Sequence, residues 1–181
     1  MQDSGIVEGK GLRVVGLPTE QVTAYRNGAL DAQGQAPEVH VAEGLANPCR
    51  HCLGLIAEGD DKLVLSYRPF DRLQPYSECG PIFLHREECA RYVAPELPGM
   101  FQFFDLALVR GYDAEDWIVY ETGAVVSGVE LAGACRSILE RSDIRYVHIR
   151  SKYNCFQCRV EREEPIRSPG DSEPVPRPTA E

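Results

Sequence analysis

Paired cysteines constrain the fold of this chain more than any other feature of its 181 residues. Seven cysteines are present, and four of them form two C-x-x-C pairs, Cys49/Cys52 and Cys155/Cys158. Two thiolates separated by two residues can face one cation when the backbone between them makes a tight turn. An odd number of cysteines argues against a disulfide framework, because each bridge uses two. We therefore interpret the pairs first as metal or redox motifs.

A histidine and a third cysteine extend the first pair. His85 follows Cys52 after 32 intervening residues, and Cys89 lies four positions beyond His85. If a short helix runs over 86–92, His85 and Cys89 share one of its faces, about 6 Å apart at Cβ. The order of knuckle, hairpin (62–84) and helix resembles a treble-clef zinc finger, such as that of poly(ADP-ribose) polymerases. Since three cysteines and one histidine form a common closed zinc set, the sequence predicts one structural Zn²⁺ bound by Cys49, Cys52, His85 and Cys89.

Other roles for the cysteines stay open. A four-thiolate site would combine Cys49 and Cys52 with Cys155 and Cys158, but a strand would place the last two on opposite faces. A redox role for the first pair would use His51 as a neighbouring cation, although we interpret His51 as a solvated knuckle residue. A thiol-dependent enzyme would centre on Cys155. The cationic neighbours of Cys155 in such an enzyme would be Arg150 or His148. The other two cysteines are interpreted differently, Cys79 as a free thiol and Cys135 as a core residue.

Composition and charge restrict the function classes. Apolar residues make up 43% of the chain, enough for a real core, and 28 acidic against 19 basic residues give a net charge of −9. This balance argues against a general nucleic-acid binder, because affinity for phosphates comes from cations. No apolar run approaches the ~20 residues that span a bilayer. The N-terminal residues lack a signal-peptide pattern, so we expect a cytoplasmic protein. No catalytic triad, phosphate-binding loop or carboxylate pair is recognisable, which favours a non-enzymatic role.

Element patterns predict a single α+β domain with a mainly antiparallel sheet. We expect a flexible arm over 1–10, the domain over 11–164 with its zinc unit at about 45–93, and a disordered Pro-rich tail over 165–181. One long helix is predicted over 128–141 from the Ser127/Glu130 capping box and an apolar stripe. The other predicted elements are helices over 19–26 and 86–92 and strands over 12–17, 40–42, 62–68, 82–84, 103–110, 117–121, 144–149 and 156–160.

A basic and aromatic stretch lies near the second cysteine pair. Residues 145–159 contain four Lys or Arg residues and His148 but no acid. Such a stretch on two strands can bind an anion or a short single strand, but more commonly its charges line a solvated sheet face and pair with acids elsewhere. As a partner we expect an unknown protein or a small anionic ligand.

Several motifs together carry a family resemblance. They are PCRHCL (48–53), PYSECGPIF (75–83), RGYD (110–113) and VHIR with CFQCRVER (147–150 and 155–162). In this order they are similar to a bacterial family known as Domain of Unknown Function 1203, over roughly residues 12–163. The resemblance implies a small bacterial domain without an assigned activity, in which a subset of members carries the full ligand set. It also implies a glycine-like turn with positive φ at Asn154.

Overall fold

A computed structural model describes residues 11–163, so the predicted arm (1–10) and the predicted tail (165–181) lie outside the described residues. This part of the chain is α+β, as predicted, with two antiparallel sheets and two α-helices. The extent of a single domain over 11–164 stays a prediction. In chain order the elements are β1 Leu12–Val15, α1 Thr19–Arg26, β2 Glu38–Val41, β3 Asp61–Tyr67, β4 Gly80–His85, β5 Val93–Ala94, β6 Ala107–Tyr112, β7 Ala124–Val126, α2 Leu131–Glu140, β8 Tyr146–Ser151 and β9 Phe156–Arg162.

The larger sheet has six strands in the order β5-β1-β9-β8-β6-β7, and all of its neighbours are antiparallel. Alternation along the strands gives it one apolar and one polar face. In β8, Val147 and Ile149 belong to the main core, whereas Tyr146, His148 and Arg150 alternate with them. Helix α2 covers the apolar face. The polar face lies towards the first helix and the smaller sheet, and it forms the floor of a cavity described below.

Helix α2 is shorter than the sequence predicts. It spans ten residues, whereas the prediction of one long helix ran over 128–141. The carboxylate of Glu130 accepts hydrogen bonds from the amide and the hydroxyl of Ser127, so the two residues of the predicted capping box are paired. Residues 128–130 nevertheless form a turn, and the helix begins only after them. Leu131, Cys135, Ile138 and Leu139 form the buried stripe, as predicted.

The smaller sheet has three strands in the order β2-β3-β4 and lies against the start of β9. Leu63, Leu65, Ile82 and Leu84 point from it into a second core. Phe156 of β9 belongs to the same core, so the two sheets share buried surface.

Two predicted elements are wrong. The stretch 86–92 is not helical, because its backbone hydrogen bonds go to other segments: the Tyr92 amide donates to His51 O and its carbonyl accepts from Gly16. The stretch 117–121 is not a strand paired to β6. It forms one bridge, Tyr112 to Ile118, and then a 3₁₀ turn at Tyr120–Thr122, and β7 takes its place beside β6.

No helix in the described part of the chain is both long and apolar enough to cross a membrane.

Candidate metal centre

A tight knuckle positions the first two cysteines. The Cys49 amide donates to Gly54 O at 2.8 Å, and Pro48 and Leu55 form an isolated antiparallel bridge, so the chain reverses between them. Leu53 has φ of +51°, a conformation that non-glycine residues adopt rarely and that a tight reversal requires here. The reversal places the sulfur of Cys52 on the same side as that of Cys49, as the C-x-x-C spacing predicts.

The end of β4 supplies the other two side chains. His85 is the last residue of β4, and Cys89 comes from the irregular stretch that follows it. A parallel bridge between Cys49 and Phe83, with the Arg50 amide donating to Phe83 O at 3.1 Å, places the knuckle beside β4. His85 and Cys89 therefore converge through a strand end and a loop rather than through one helix face. The treble-clef arrangement predicted from the spacing is not shown.

The four predicted ligands do come together. The ligand atoms of Cys49, Cys52, His85 and Cys89 all lie within 4.8 Å of one another. Cys52 Sγ lies 3.5 Å from His85 Nδ1, and the sulfurs of Cys49 and Cys89 are 4.0 Å apart. A tetrahedron with Zn–S bonds of about 2.3 Å and Zn–N bonds of about 2.0 Å has S···N and S···S edges of about 3.5 and 3.8 Å. The cluster has the dimensions of a tetrahedral metal site and can hold a metal ion.

The protein environment favours a thiolate at Cys49. Hydrogen bonding from the Cys52 thiol, together with the backbone amides of Cys52, His85 and His51, lowers the pKa of Cys49 to about 4 against the effect of burial. The hydrogen bond from the Cys52 thiol to Cys49 raises the pKa of Cys52, and burial and the charge on Cys49 raise it further. Burial raises the pKa of Cys89 as well, and the adjacent Arg26 opposes that shift. The fold thus stabilises one thiolate, at Cys49, and disfavours deprotonation of Cys52 and Cys89.

Arg26 is a cation in contact with the cluster, and the sequence reasoning missed it. From the last turn of α1, its Nη2 lies 3.4 Å from Cys89 Sγ and its Nε donates to His85 O. The two arginines next to the ligands act elsewhere: Arg50 donates to the carbonyls of Pro48 and Phe156, and Arg86 lies 3.9 Å from Asp61. No local pattern near residue 26 indicates this contact, because it depends on tertiary packing.

His51 is buried, and the prediction of a solvated knuckle residue is wrong. Its Nδ1 lies 3.1 Å from Cys89 Sγ and its Nε2 lies 3.0 Å from the hydroxyl of Thr19 at the start of α1. If Nδ1 donates to the sulfur, Nε2 accepts from Thr19, which fixes one neutral tautomer. Burial lowers the pKa of His51, and Arg26 lowers it further, against the charge of Cys49. His51 therefore supports the cluster from outside the four ligands.

The remaining cysteines lie apart from this cluster. Cys135 and Cys158 are buried in the main core, and burial raises the pKa of both thiols. Cys79 is exposed. Cys155 is half-buried just before β9. Within residues 11–163, the cluster of three cysteines and His85 is the one group of three or more His, Cys, Asp or Glu that can hold a metal ion, so the four-thiolate alternative is not formed.

The basic stretch near the second pair is largely enclosed, so the interpretation as a solvated face is wrong for its central residues. His148 is buried among aromatic rings, and Arg150 pairs with Glu78 at 2.7 Å. Asn154 has φ of +68°, which confirms the turn that the family resemblance implies.

The geometry thus defines an α+β protein with a Cys₃His cluster at the end of its smaller sheet. The chain belongs to the DUF1203 family of proteins of unknown function, whose family model matches residues 46–162. That range contains all four members of the cluster. No curated protein matches the chain, and no solved structure matches it.

Proposed function

We propose that Cys49, Cys52, His85 and Cys89 bind one zinc ion with a structural role, in a protein that acts as a binding module rather than as an enzyme. The observation that carries the metal site is the convergence of the four ligand atoms within 4.8 Å, from a knuckle and a strand end that are far apart in sequence. The bacterial, cytoplasmic setting expected from the sequence belongs to the same proposal.

Ligand chemistry favours zinc. Soft thiolates with one imidazole in a tetrahedral arrangement suit Zn²⁺, although a mononuclear iron site takes similar ligands. Three thiolates and Zn²⁺ sum to −1, and Arg26 offsets that charge at 3.4 Å from Cys89. The absorbance spectrum distinguishes the metals, because zinc is colourless in this ligand field and ferric thiolate is not.

A closed ligand set favours a structural role. Four protein ligands complete the tetrahedron, so no position is left for water or substrate. Zinc binding at such sites is worth roughly 10–16 kcal/mol, which is as large as the net stability of a typical domain. The ion would link the knuckle to β4 and thereby stabilise the smaller sheet, whose aliphatic core is limited.

Native mass spectrometry of protein purified without added metal tests this proposal. We expect one zinc per chain in the wild type and in the control Cys79→Ser, which removes an exposed thiol outside the cluster. Cys52→Ser and Cys89→Ser should lose the metal. A folded wild-type protein without metal, or equal metal content in all variants, would contradict it.

Thiol chemistry at Cys155 is the alternative function. Cys155 is half-buried and lines an apolar groove of about 480 Å³. Among the described residues no imidazole is hydrogen-bonded to its sulfur, which donates to Tyr153 O at 4.0 Å. Iodoacetamide labelling at pH 7 distinguishes a thiol-dependent enzyme from a binding module, because ordinary thiols of pKa about 8.5 are mostly protonated at this pH. Faster labelling of Cys155 than of Cys79 would favour the enzyme.

A further inference from the structure

The polar face of the larger sheet forms the floor of a cavity. The cavity has a volume of about 570 Å³, within the range of about 300–1,000 Å³ for small-molecule sites. Helix α1 and the loops at 28–32 and 68–71 contribute to its walls. Several rings line it, which gives flat apolar surface beside charged groups: Tyr25, Tyr67, Phe70, Tyr146 and Phe156.

Two guanidiniums on the floor share one carboxylate. Arg159 lies over the ring of Tyr146, with Cζ 3.7 Å from the ring centroid. Glu161 pairs with Arg159 through one oxygen and with Arg13 through the other, both at 2.7 Å. A guanidinium has five N–H donors, so one carboxylate leaves most donors of this pair unused. The shared carboxylate of Glu161 holds the side chains of Arg13 and Arg159 in place. The two guanidiniums carry two positive charges against its one negative charge, so the group keeps a net positive charge.

Most of the acids around the cavity already have partners. The carboxylate of Asp31 accepts from backbone amides, and Asp116 accepts from the Tyr146 hydroxyl at 2.9 Å and lies 3.5 Å from Arg72 Nε. Asp71 is exposed. The amides that donate to Asp31 are those of Gln33, Gln35 and Ser66. The carboxylates of Asp31 and Asp116 are therefore engaged by other groups rather than by Arg13 and Arg159.

Buried donors without partners also line the cavity. His148 is fully buried, and neither of its ring nitrogens has a hydrogen-bond partner among residues 11–163. The Nε of Arg68 in the same lining is buried and unpartnered as well. Burial lowers the pKa of His148, and the nearby guanidiniums of Arg150, Arg159 and Arg110 lower it further, which favours a neutral imidazole in positive surroundings. Buried polar groups without partners are rare in native proteins and need an explanation, such as an absent water or ligand.

We propose that this cavity binds a small organic anion with a flat unsaturated part, whose carboxylate or phosphate pairs with Arg13 and Arg159 and whose flat part packs on the lining rings. Carboxylates and phosphates match the planar fork of arginine, which is why arginine dominates their recognition. The inference deepens the binding role proposed above, and it is independent of the metal site.

Binding of benzoate, benzamide and inorganic phosphate to the full-length zinc-loaded protein, followed by NMR, tests the proposal. Benzamide matches benzoate in shape but lacks its charge. We expect benzoate to shift the ring resonances of His148 saturably. Benzamide and phosphate should bind with at least about tenfold lower affinity, which is a difference of about 1.4 kcal/mol in binding free energy. No saturable shift with benzoate, or equal affinity for benzamide or phosphate, would overturn it.

Two charge-matched variants localise the effect. Arg159→Gln removes the guanidinium over Tyr146, and Arg136→Gln removes an exposed arginine of α2, on the opposite side of the sheet. We expect at least about tenfold weaker benzoate binding for the first variant and no change for the second. Equal effects of the two variants would overturn the assignment to this cavity. Metal content measured in the same samples separates this outcome from failure of the zinc proposal.

Discussion

The two sheets are stabilised by different means. The larger sheet packs one face against α2, and its core is continuous from Val14 through Val147 to Leu139. The smaller sheet has fewer buried aliphatic residues, and its outer strand β2 is exposed along its whole length. At its inner edge lies the Cys₃His cluster. Under the zinc proposal, the first region is stabilised by hydrophobic burial and the second by burial together with a metal ion on four side chains, so each should respond to a different perturbation.

Metal removal should have the largest effect and should be confined to the smaller sheet. A chelator withdraws binding free energy of roughly 10–16 kcal/mol for a site of this type. We expect hydrogen exchange to lose protection in β3 and β4 while β6 and β8 stay protected, since α2 still covers them. The measurement is exchange mass spectrometry with and without chelator. Uniform loss across both sheets, or no loss at all, would contradict this separation.

Truncation in the larger core should act in the opposite way. Leu131→Ala removes a fully buried side chain of α2 and should destabilise the protein by about 2–5 kcal/mol in urea unfolding. We expect one bound metal per folded chain to remain, because α2 supplies none of the four ligands. The control is Val129→Ala, at a residue that is 77% exposed, which should change stability by less than about 0.5 kcal/mol. Metal loss in Leu131→Ala would show that the regions are coupled.

The same contrast explains how much the sequence alone could predict. Local patterns gave α1 at 19–26 correctly and the final strand pair β8 and β9 approximately, because alternation and helix start and stop signals are local. Cysteine and histidine spacing correctly brought four side chains together. The helix predicted over 86–92 from the spacing of His85 and Cys89 is wrong. Cys89 instead reaches the cluster from a loop, which is held by backbone hydrogen bonds of Tyr92 with Gly16 and His51.

Contacts that depend on tertiary packing could not be predicted. Arg26 is 59 positions from His85, and nothing in its own segment indicates that its guanidinium reaches the cluster. The burial of His51 depends on Thr19 of α1, which also comes from a distant segment. Local sequence reasoning treats a polar residue as exposed by default, and here the default was wrong at His51, His148 and Arg150.

Loss of His51 should weaken metal binding moderately. Its imidazole hydrogen bond to Cys89 Sγ orients a ligand, and such outer contacts are typically worth about 10–100-fold in metal affinity. We expect that loss in His51→Ala, measured by competition with a chromophoric chelator, and partial recovery in His51→Asn, whose amide nitrogen can take the place of Nδ1. His40→Ala, at an exposed residue of β2, should have no effect. Equal affinity in His51→Ala and the wild type would show that His51 only fills space.

The smallest effect concerns pH and the polar face of the larger sheet. Burial lowers the pKa of His148 well below 6.5, and the positive charges around it act in the same direction. The groups facing it are the rings of Phe70, Tyr112, Tyr146 and Phe156 and the guanidiniums of Arg110, Arg150 and Arg159. Because the unfolded chain takes up a proton at a higher pH than the folded one, the contribution of His148 to stability is present above about pH 6.5 and is lost as the pH falls towards the folded-state pKa.

His148→Gln should remove that dependence. Between about pH 6.5 and 5, the free energy of unfolding of the wild type should fall more steeply than that of the variant, by up to about 1.4 kcal/mol per pH unit for one proton. Urea unfolding at several pH values measures the two slopes, and His40→Gln is the control because it removes an imidazole from the exposed strand β2. Parallel slopes for His148→Gln and the wild type would mean that His148 takes up its proton over the same pH range in the folded and the unfolded chain, so that folding does not lower its pKa. The enclosure by rings and guanidiniums, which distinguishes this face of the sheet from the apolar one, would then not keep the imidazole neutral.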